Sequence, residues 1–315
     1  MMNVLFTFKI KDEQLKNLQS RFPEVHFEYN KELDESPIDK FEVIVTYGED
    51  INTSVLEKAT SLKWLMVASA GVEKMPLSEI AERGIVISNV RGIHKTPMAE
   101  SVIGHILSLT RALPSLYDQQ KRKEWNTRVK QTELRGSTAI ILGPGAIGSE
   151  IGRLLQAFGV RTIGCNQSGR PAESMDETIQ FDNLIDRLPD ADYVISILPS
   201  TAETKGLLDE RYFKAMKPTA TFMNFGRGDL VKESILVDAL KNGEIGHAVL
   251  DVFEKEPILV DSELWNLSNV SISPHVSSHS GKYIERALEF FIENLEKWQN
   301  GDGELVNLVD PKKGY

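Results

Sequence analysis

Residues 136 to 152, Gly136-Ser-Thr-Ala-Ile-Ile-Leu-Gly-Pro-Gly-Ala-Ile-Gly-Ser-Glu-Ile-Gly152, leave this chain few folds to choose from. An apolar run short enough to be a buried strand passes through a turn with almost no side chains and opens into a helical pattern. Gly143, Gly145 and Gly148 carry the spacing GxGxxG. In that setting a pyrophosphate can approach backbone N–H groups at a helix N-terminus, where the macrodipole favours negative charge. Glycines also close tight turns for structural reasons alone, so the spacing marks a nucleotide-binding turn only if its surroundings agree.

The surroundings are those of parallel sheets. Apolar runs at 2–8, 42–46, 64–68 and 85–88 alternate with helical stretches such as Asp12–Arg21 and Thr53–Ala59, an order that implies a parallel sheet. A helix is expected from Met98 to Ala112, with Pro97 near its first turn and Val102, Ile103, Ile106 and Leu107 at helical spacing. From Gly136 the alternation restarts: strand 138–142, helix 146–158, strand 160–165, and strands near 193–198, 220–224 and 247–252. Ser280–Asn300 reads as a long amphipathic helix that returns the chain to its first part, and the tail from Asn307 has no periodic signal. The expected class is α/β with two doubly wound parallel-sheet domains. A flavodoxin-like substrate domain, discontinuous over 1–97 and 276–315, would hold a Rossmann nucleotide-binding domain over 98–275, with the active site in the cleft between them. Within the first domain the loop Ala68–Val72 follows a strand, so the backbone at Ala70 and Gly71 is a candidate dock for a carboxylate.

Composition narrows the partners. A formal charge of -10 opposes binding to nucleic acid, and the one basic stretch, Lys121–Lys123 with Arg128 and Lys130, reads as a solvated face or a subunit contact. The run Val4–Phe8 is too short for a signal sequence, and no stretch has the length of a membrane span, so the expectation is a cytoplasmic protein without a membrane partner. The single cysteine, Cys165, excludes an internal disulfide and reads as a core side chain. His275 and His279 have zinc-like spacing, but no third ligand is evident and Pro274 points to a strand end, so no metal is expected.

Four more stretches follow predicted strands: Ile197-Leu-Pro-Ser-Thr201, Asn224-Phe-Gly-Arg-Gly228, Leu250-Asp-Val-Phe-Glu-Lys-Glu-Pro257 and Ser273-Pro-His275. Carboxyl ends of successive parallel strands meet at one crevice, so an arginine, two acidic residues and a histidine can converge over a nucleotide. With the Ala70-Gly-Val72 loop, Ala99-Glu100, Trp125, Glu133-Leu-Arg-Gly136 and Leu198-Pro199 with Thr204, these motifs resemble the D-isomer-specific 2-hydroxyacid dehydrogenase family over nearly the whole chain. This family includes phosphoglycerate dehydrogenases and glyoxylate and hydroxypyruvate reductases.

The resemblance implies hydride transfer between a nicotinamide and the hydroxyl-bearing carbon of a small 2-hydroxy acid. Reduction builds negative charge on the carbonyl oxygen, which calls for a proton donor and a fixed cation. His275 takes the first role; histidine's ordinary pKa of about 6.5 suits proton exchange near neutrality. Arg227 takes the second, its planar fork matching the carboxylate and carbonyl oxygens together. The resemblance sets Glu256 against the imidazole, with Glu254 as the nearby alternative, and puts His94 beside the substrate carboxylate, where a structural role competes. The substrate contacts would thus be Ala70, Gly71, His94, Arg227 and His275.

For the cofactor, the resemblance places Gly143, Gly145, Ala146, Ile147 and Gly148 at the pyrophosphate and Leu198, Pro199 and Thr204 near the adenosine. It places the Phe225 carbonyl and Asp251 at the carboxamide. NAD-using relatives usually end the next strand with an aspartate for the ribose hydroxyls; here the residue is Asn166. Ser168 and Arg170 can donate to a 2′-phosphate, so NADP is favoured and NAD is the second choice, although Arg170 would have to fold back. The resemblance also implies a homodimer formed through the nucleotide-binding domain, with contacts sought in 115–135 around Trp125. Two rival readings stand beside a 2-keto acid reductase. One is a non-catalytic sensor or corepressor on the same fold, and the other an NAD-linked dehydrogenase working toward oxidation.

Overall fold

The computed structural model describes residues 2–33, 37–69, 71–72, 74–301 and 303–311. The chain divides into two compact units, Met1–Ile93 with Ser280–Tyr315, and His94–His279.

The first unit begins with β1 (Met2–Phe6), α1 (Asp12–Arg21), β2 (Val25–Tyr29), β3 (Val43–Thr46), α2 (Thr53–Lys58), β4 (Trp64–Val67), α3 (Leu77–Glu82) and β5 (Val86–Asn89). All strands are parallel in the order β2-β1-β3-β4-β5, the flavodoxin-like arrangement. The central β3 and β4 are buried at every residue, as a sheet covered on both faces requires. β2 escapes a search for apolar runs because it alternates: Val25 and Phe27 are buried while His26 is exposed and Glu28 only partly buried. Asn52 starts α2 by accepting from the Val55 N–H at 3.0 Å.

The second unit contains α4 (Lys95–Thr110), α5 (Leu113–Arg122), β6 (Thr138–Leu142), α6 (Ala146–Ala157), β7 (Arg161–Asn166), β8 (Glu177–Gln180), α7 (Leu184–Arg187) and β9 (Tyr193–Ser196). It continues with α8 (Glu210–Ala215), β10 (Thr221–Asn224), α9 (Glu233–Lys241), β11 (His247–Leu250) and β12 (Val270–Ile272). Its seven parallel strands lie in the order β12-β11-β10-β9-β6-β7-β8. Read from β8, this is the 3-2-1-4-5-6 order of a dinucleotide-binding sheet with one more strand, and its order reverses between β6 and β9. The short strands β8 and β12 are only partly buried, which hides them from a search for apolar runs.

The units divide at 93/94 and 279/280 rather than at 97/98 and 275/276. Two packing facts account for this. The first turns of α4 bury Pro97, Met98 and Ala99, the last two against the second unit's core. Residues 276 and 277 are tied to Asp251 by backbone hydrogen bonds. After α5, Lys123 is left-handed at φ 57 and the chain runs irregularly, leaving Trp125 96% exposed.

The last helix, α10 (Tyr283–Asn300), buries Ala287, Leu288, Phe291 and Leu295 in the first unit, where Phe291 and Trp298 stack on Trp64. Gly301, at φ 66, ends it by donating to the Lys297 carbonyl. The tail then bridges the sheet edge antiparallel at Ser88 and Leu308, a pairing too short to show periodicity.

His247 opens β11 half-buried, its Nε2 3.0 Å from Ser271 Oγ. Burial, reinforced by His105, lowers its pKa to about 4. The folded state thus binds the proton more weakly than the unfolded chain, whose histidines titrate near about 6.5. The associated stability is complete above that value and is lost as pH falls toward the folded pKa. Melting temperature should therefore drop between about pH 6.5 and 4, and less steeply in His247→Gln, which keeps a partner for Ser271. Identical slopes in thermal melts would refute the assignment.

Candidate functional site

Backbone pairing puts six residues of the second sheet on one level: Cys165, Leu142, Ser196, Asn224, Leu250 and Ile272. Gly143, Asn166, Ile197, Phe225, Asp251 and Ser273 each follow one of them, so the motif stretches leave the same edge of the sheet.

At the switch in strand order, Gly143 is left-handed at φ 87 and its carbonyl accepts from the Gly145 N–H at 2.8 Å. A Cβ on Gly148 would lie 2.5 Å from the Gly143 oxygen, so only glycine lets α6 start this close to the strand. A Cβ on Gly145 would meet nothing within 4 Å. Gly145 caps α6 with no side chain, and Gly145 and Ala146 are exposed. The first-turn N–H groups, including those of Ala146 and Ile147, have no partner within the helix. This cradle fits a dinucleotide pyrophosphate. Cys165 on β7 is buried, which pushes its thiol up to about 12 and leaves it inert.

Asn166 ends β7 with its side chain turned to its own loop. Its Oδ1 accepts from the Gly169 N–H at 2.7 Å and the Ser168 hydroxyl at 3.3 Å, and its Nδ2 donates to the Arg170 carbonyl at 3.0 Å. The backbone at Arg170 is thereby drawn back toward the strand end. Ser168 and Arg170 are exposed, and among the described residues no acidic side chain pairs with Arg170.

Leu198 is buried and Pro199 exposed. Thr204 closes their loop: its hydroxyl donates to the Pro199 carbonyl at 2.6 Å and accepts from the Thr201 N–H at 2.9 Å. The next loop is clipped by buried Asn224, which accepts from the Gly226 N–H at 3.1 Å and donates to the Arg227 carbonyl at 2.9 Å. A Cβ on Gly226 would come 2.4 Å from the Leu198 oxygen, and one on Gly228 would come 1.9 Å from the Phe253 carbonyl. Backbone packed on both sides thus fixes the segment that carries Arg227. The Arg227 side chain is exposed and donates to the Gly226 carbonyl at 2.8 Å. Phe225 is buried, its ring 5.9 Å from that of His105.

His275 and Glu256 are in contact. Nδ1 donates to Glu256 Oε2 at 2.8 Å, and the other carboxylate oxygen accepts from the Phe253 N–H at 3.0 Å. With Nδ1 engaged, Nε2 is the nitrogen left for chemistry. Glu254 faces elsewhere and accepts from the Glu233 N–H at 3.0 Å. The pair is partly solvated, with side chains 46% and 37% exposed, so it contributes orientation more than stability. His275 is left-handed at φ 52, a conformation that costs most side chains energy.

Beneath this turn lies Asp251, fully buried. It accepts from the Ser273 hydroxyl at 2.6 Å and from the Val276 and Ser277 N–H groups at 3.0 and 3.1 Å. Burial alone would raise its pKa, but these bonds outweigh it and hold the carboxyl below its ordinary value. His105 and His94 are half-buried, and burial lowers both their pKa values. Nearby Asp251 opposes the shift at His105, and a bond with the Ser278 backbone opposes it at His94.

In the first unit, Gly71 is partly buried, and Ala70 lies outside the described residues. The Tyr283 hydroxyl donates to the Ala68 carbonyl at 2.8 Å, so α10 holds this loop. Phe8, Tyr47 and Tyr283 form an aromatic row beside it. Sequence reasoning assigned no role to Asn224, Ser273, Ser277 or Tyr283. The first two stand inside quoted motifs, which was the available signal, whereas Ser277 and Tyr283 have none. Among the described residues no cluster suits a metal ion, and no helix is long and apolar enough to cross a membrane.

A histidine held by a carboxylate thus leaves the same sheet edge as a glycine turn whose backbone N–H groups are open. The profile for the NAD binding domain of D-isomer specific 2-hydroxyacid dehydrogenases matches residues 103–277. A glyoxylate reductase of Thermococcus onnurineus is 30% identical over 312 residues, covering 95% of this chain and 93% of the relative. The crystal structure of a D-isomer specific 2-hydroxyacid dehydrogenase family protein from Aeromonas salmonicida superposes with TM-score 0.82 at 33% identity, covering 98% of this chain and 99% of that one. An NADPH-dependent glyoxylate/hydroxypyruvate reductase from Sinorhizobium meliloti, solved in complex with citrate, gives TM-score 0.74 at 29% identity, covering 99% and 98%. The chain belongs to the D-isomer specific 2-hydroxyacid dehydrogenase family.

Gly228→Ala tests the backbone contact that sets the Arg227 loop. The added methyl forces the Phe253 peptide away, which should lower thermal stability by about 1–3 kcal/mol and cut kcat by about tenfold or more. Wild-type melting and turnover together would show that the contact tolerates a side chain.

Proposed function

We propose that the protein is an NADP(H)-preferring 2-keto acid reductase of the glyoxylate/hydroxypyruvate type. The observation that carries this reading is the bond from His275 Nδ1 to Glu256, which orients Nε2 as proton donor. When bound, the dihydronicotinamide supplies a hydride to the carbonyl carbon. As charge builds on the carbonyl oxygen, His275 gives it the Nε2 proton and becomes neutral, while Glu256 has stabilised the preceding imidazolium. The Arg227 guanidinium pairs with the substrate's carboxylate and carbonyl oxygens. His94 adds to the grip on the carboxylate, and by family resemblance the first unit serves the substrate and the second the nucleotide.

On this reading, N–H groups of the 143–148 turn hold the pyrophosphate, Leu198, Pro199 and Thr204 border the adenosine, and the Phe225 carbonyl orients the carboxamide. The preference for NADP rests on the strand end at Asn166, which offers no carboxylate to repel a 2′-phosphate, and on Ser168 and Arg170 beside it. The named cofactor of the Sinorhizobium relative supports the same choice.

NADPH and NADH consumption, followed by absorbance with glyoxylate, hydroxypyruvate, pyruvate and larger 2-keto acids, tests both points. Turnover should occur with a lower KM for NADPH, and Arg170→Ala should remove that preference. His275→Asn should lower kcat by about 10²- to 10⁴-fold with cofactor affinity retained, and full turnover in it would overturn the mechanism. Silence across the panel with tight NADPH binding would favour a sensor instead.

The segment after α5, with Trp125 exposed, is assigned as the contact of a homodimer. Sedimentation should give twice the 35.3 kDa chain mass, and Trp125→Ser should shift it toward monomer; a monomeric wild type refutes this.

A further inference from the structure

We propose that Tyr47, set between Phe8 and Tyr283, is the wall against which the substrate's side chain lies, and that the substrate is a 2-keto acid carrying an aryl group. This rests on the reading of the protein as a 2-keto acid reductase whose first unit serves the substrate, and it narrows the substrate class within that reading.

The wall grows out of the core of the first sheet. Phe6, Val45 and Met66 lie side by side on the face that α10 covers, and two residues further on Phe8, Tyr47 and Ala68 continue that face beyond the strands. Their backbone is still paired there. The Thr7 N–H donates to the Val45 carbonyl at 2.9 Å and the Ala68 N–H to the Thr46 carbonyl at 2.7 Å. Ring then follows ring across the carboxyl ends: Phe8 lies 4.6 Å from Tyr47, and Tyr47 6.5 Å from Tyr283, whose hydroxyl donates to the Ala68 carbonyl. The row thus ends on the loop after β4, the candidate dock for the substrate's carboxylate. Phe8 and Tyr283 are partly buried, whereas Tyr47 is 41% exposed. It is nonetheless held in place. Gly48, left-handed at φ 95, turns the chain directly after it, and the Gly48 N–H donates to Thr46 Oγ1 at 2.8 Å. A Cβ on Gly48 would meet Met75 Sδ at 3.1 Å, so the turn is packed from beneath. An exposed tyrosine is common by itself. One fixed between two rings, at the edge where open α/β sheets bind ligands, presents a preset apolar face. The hydrogen of glyoxylate would leave that face bare, and the hydroxymethyl group of hydroxypyruvate would lose water against it. An aryl group covers it, by the offset or edge-on packing that ring pairs prefer.

NADPH consumption with phenylpyruvate, pyruvate, hydroxypyruvate and glyoxylate tests this in the wild type, Tyr47→Ala and Tyr47→Phe. In the wild type, kcat/KM for phenylpyruvate should exceed that for pyruvate by about tenfold or more. Tyr47→Ala should lower the phenylpyruvate-to-pyruvate ratio of kcat/KM by about tenfold, chiefly through a higher KM for phenylpyruvate. Tyr47→Phe, which keeps the ring, should hold the ratio within about twofold of wild type. Calorimetry gives a readout without turnover: phenylpyruvate should bind the NADP⁺-loaded protein, which cannot reduce it, about tenfold more weakly in Tyr47→Ala. A wild type that prefers pyruvate or hydroxypyruvate makes the row an extension of the core and overturns the proposal. A preference for phenylpyruvate that survives Tyr47→Ala also overturns it, because the discriminating contact then lies elsewhere. If none of the four acids is reduced, the reductase reading fails and the substrate class falls with it. If glyoxylate or pyruvate is reduced without preference for the aryl acid, the reductase reading stands and only the aromatic wall fails.

Discussion

The parallel register of the seven-stranded sheet is the constraint on which the rest depends. Because Leu142 pairs with both Cys165 and Ser196, and Asn224 with both Ser196 and Leu250, the strands end in step. A slip of one residue would turn every side chain on a strand to the other face. It would carry Asn224 away from the loop it clips and Asp251 away from the turn it grips. The apolar residues below that level are buried nearly without exception, so the core that fixes the register also fixes the site. Stability and chemistry share one edge here, with the chemistry starting one residue beyond the core.

Two devices convert that edge into placed functional groups. One is the missing Cβ, at Gly148 against Gly143 and at Gly228 against Phe253, where backbone meets backbone at distances no side chain allows. The other is the buried anion. A left-handed histidine costs about 1–3 kcal/mol, whereas each hydrogen bond to a charged group contributes about 1.5–3 kcal/mol. Several such bonds to Asp251 therefore outweigh the strain at His275. The His275–Glu256 pair cannot do this, since exposed ion pairs contribute about 0–1 kcal/mol. In the mechanism proposed above it serves protonation instead.

What could be read from the amino acids divides along the same physical line. The glycine turn, the Asn224–Gly228 loop and the Ser273–His275 stretch are legible because glycine and proline mark where backbone must do something unusual. Long buried strands and the face of α10 are legible through periodicity. The edge strands β2, β8 and β12 are not, because a half-covered or three-residue strand has neither a continuous apolar run nor a helical period. The grip of Asp251 on residues 273–277 was invisible for another reason. It joins residues more than twenty positions apart through backbone N–H groups, which carry no sequence label. Glu254 and Glu256 were separable only by family resemblance, since both precede the same proline, and geometry turns one to Glu233 and the other to His275.

The strand end at Asn166 shows how a local structural need can set chemical preference. Its Oδ1 accepts from Gly169 and Ser168, which an aspartate could also do, but its Nδ2 donates to the Arg170 carbonyl, which an aspartate cannot. An ionised carboxylate there would face a carbonyl oxygen at hydrogen-bond distance and drive Arg170 outward. On the cofactor preference proposed above, the asparagine omits the charge that would repel a 2′-phosphate and, through the same amide, draws back the backbone that bears Arg170. Electrostatics and loop closure are not separate choices at this position: whichever residue stands there must answer to both.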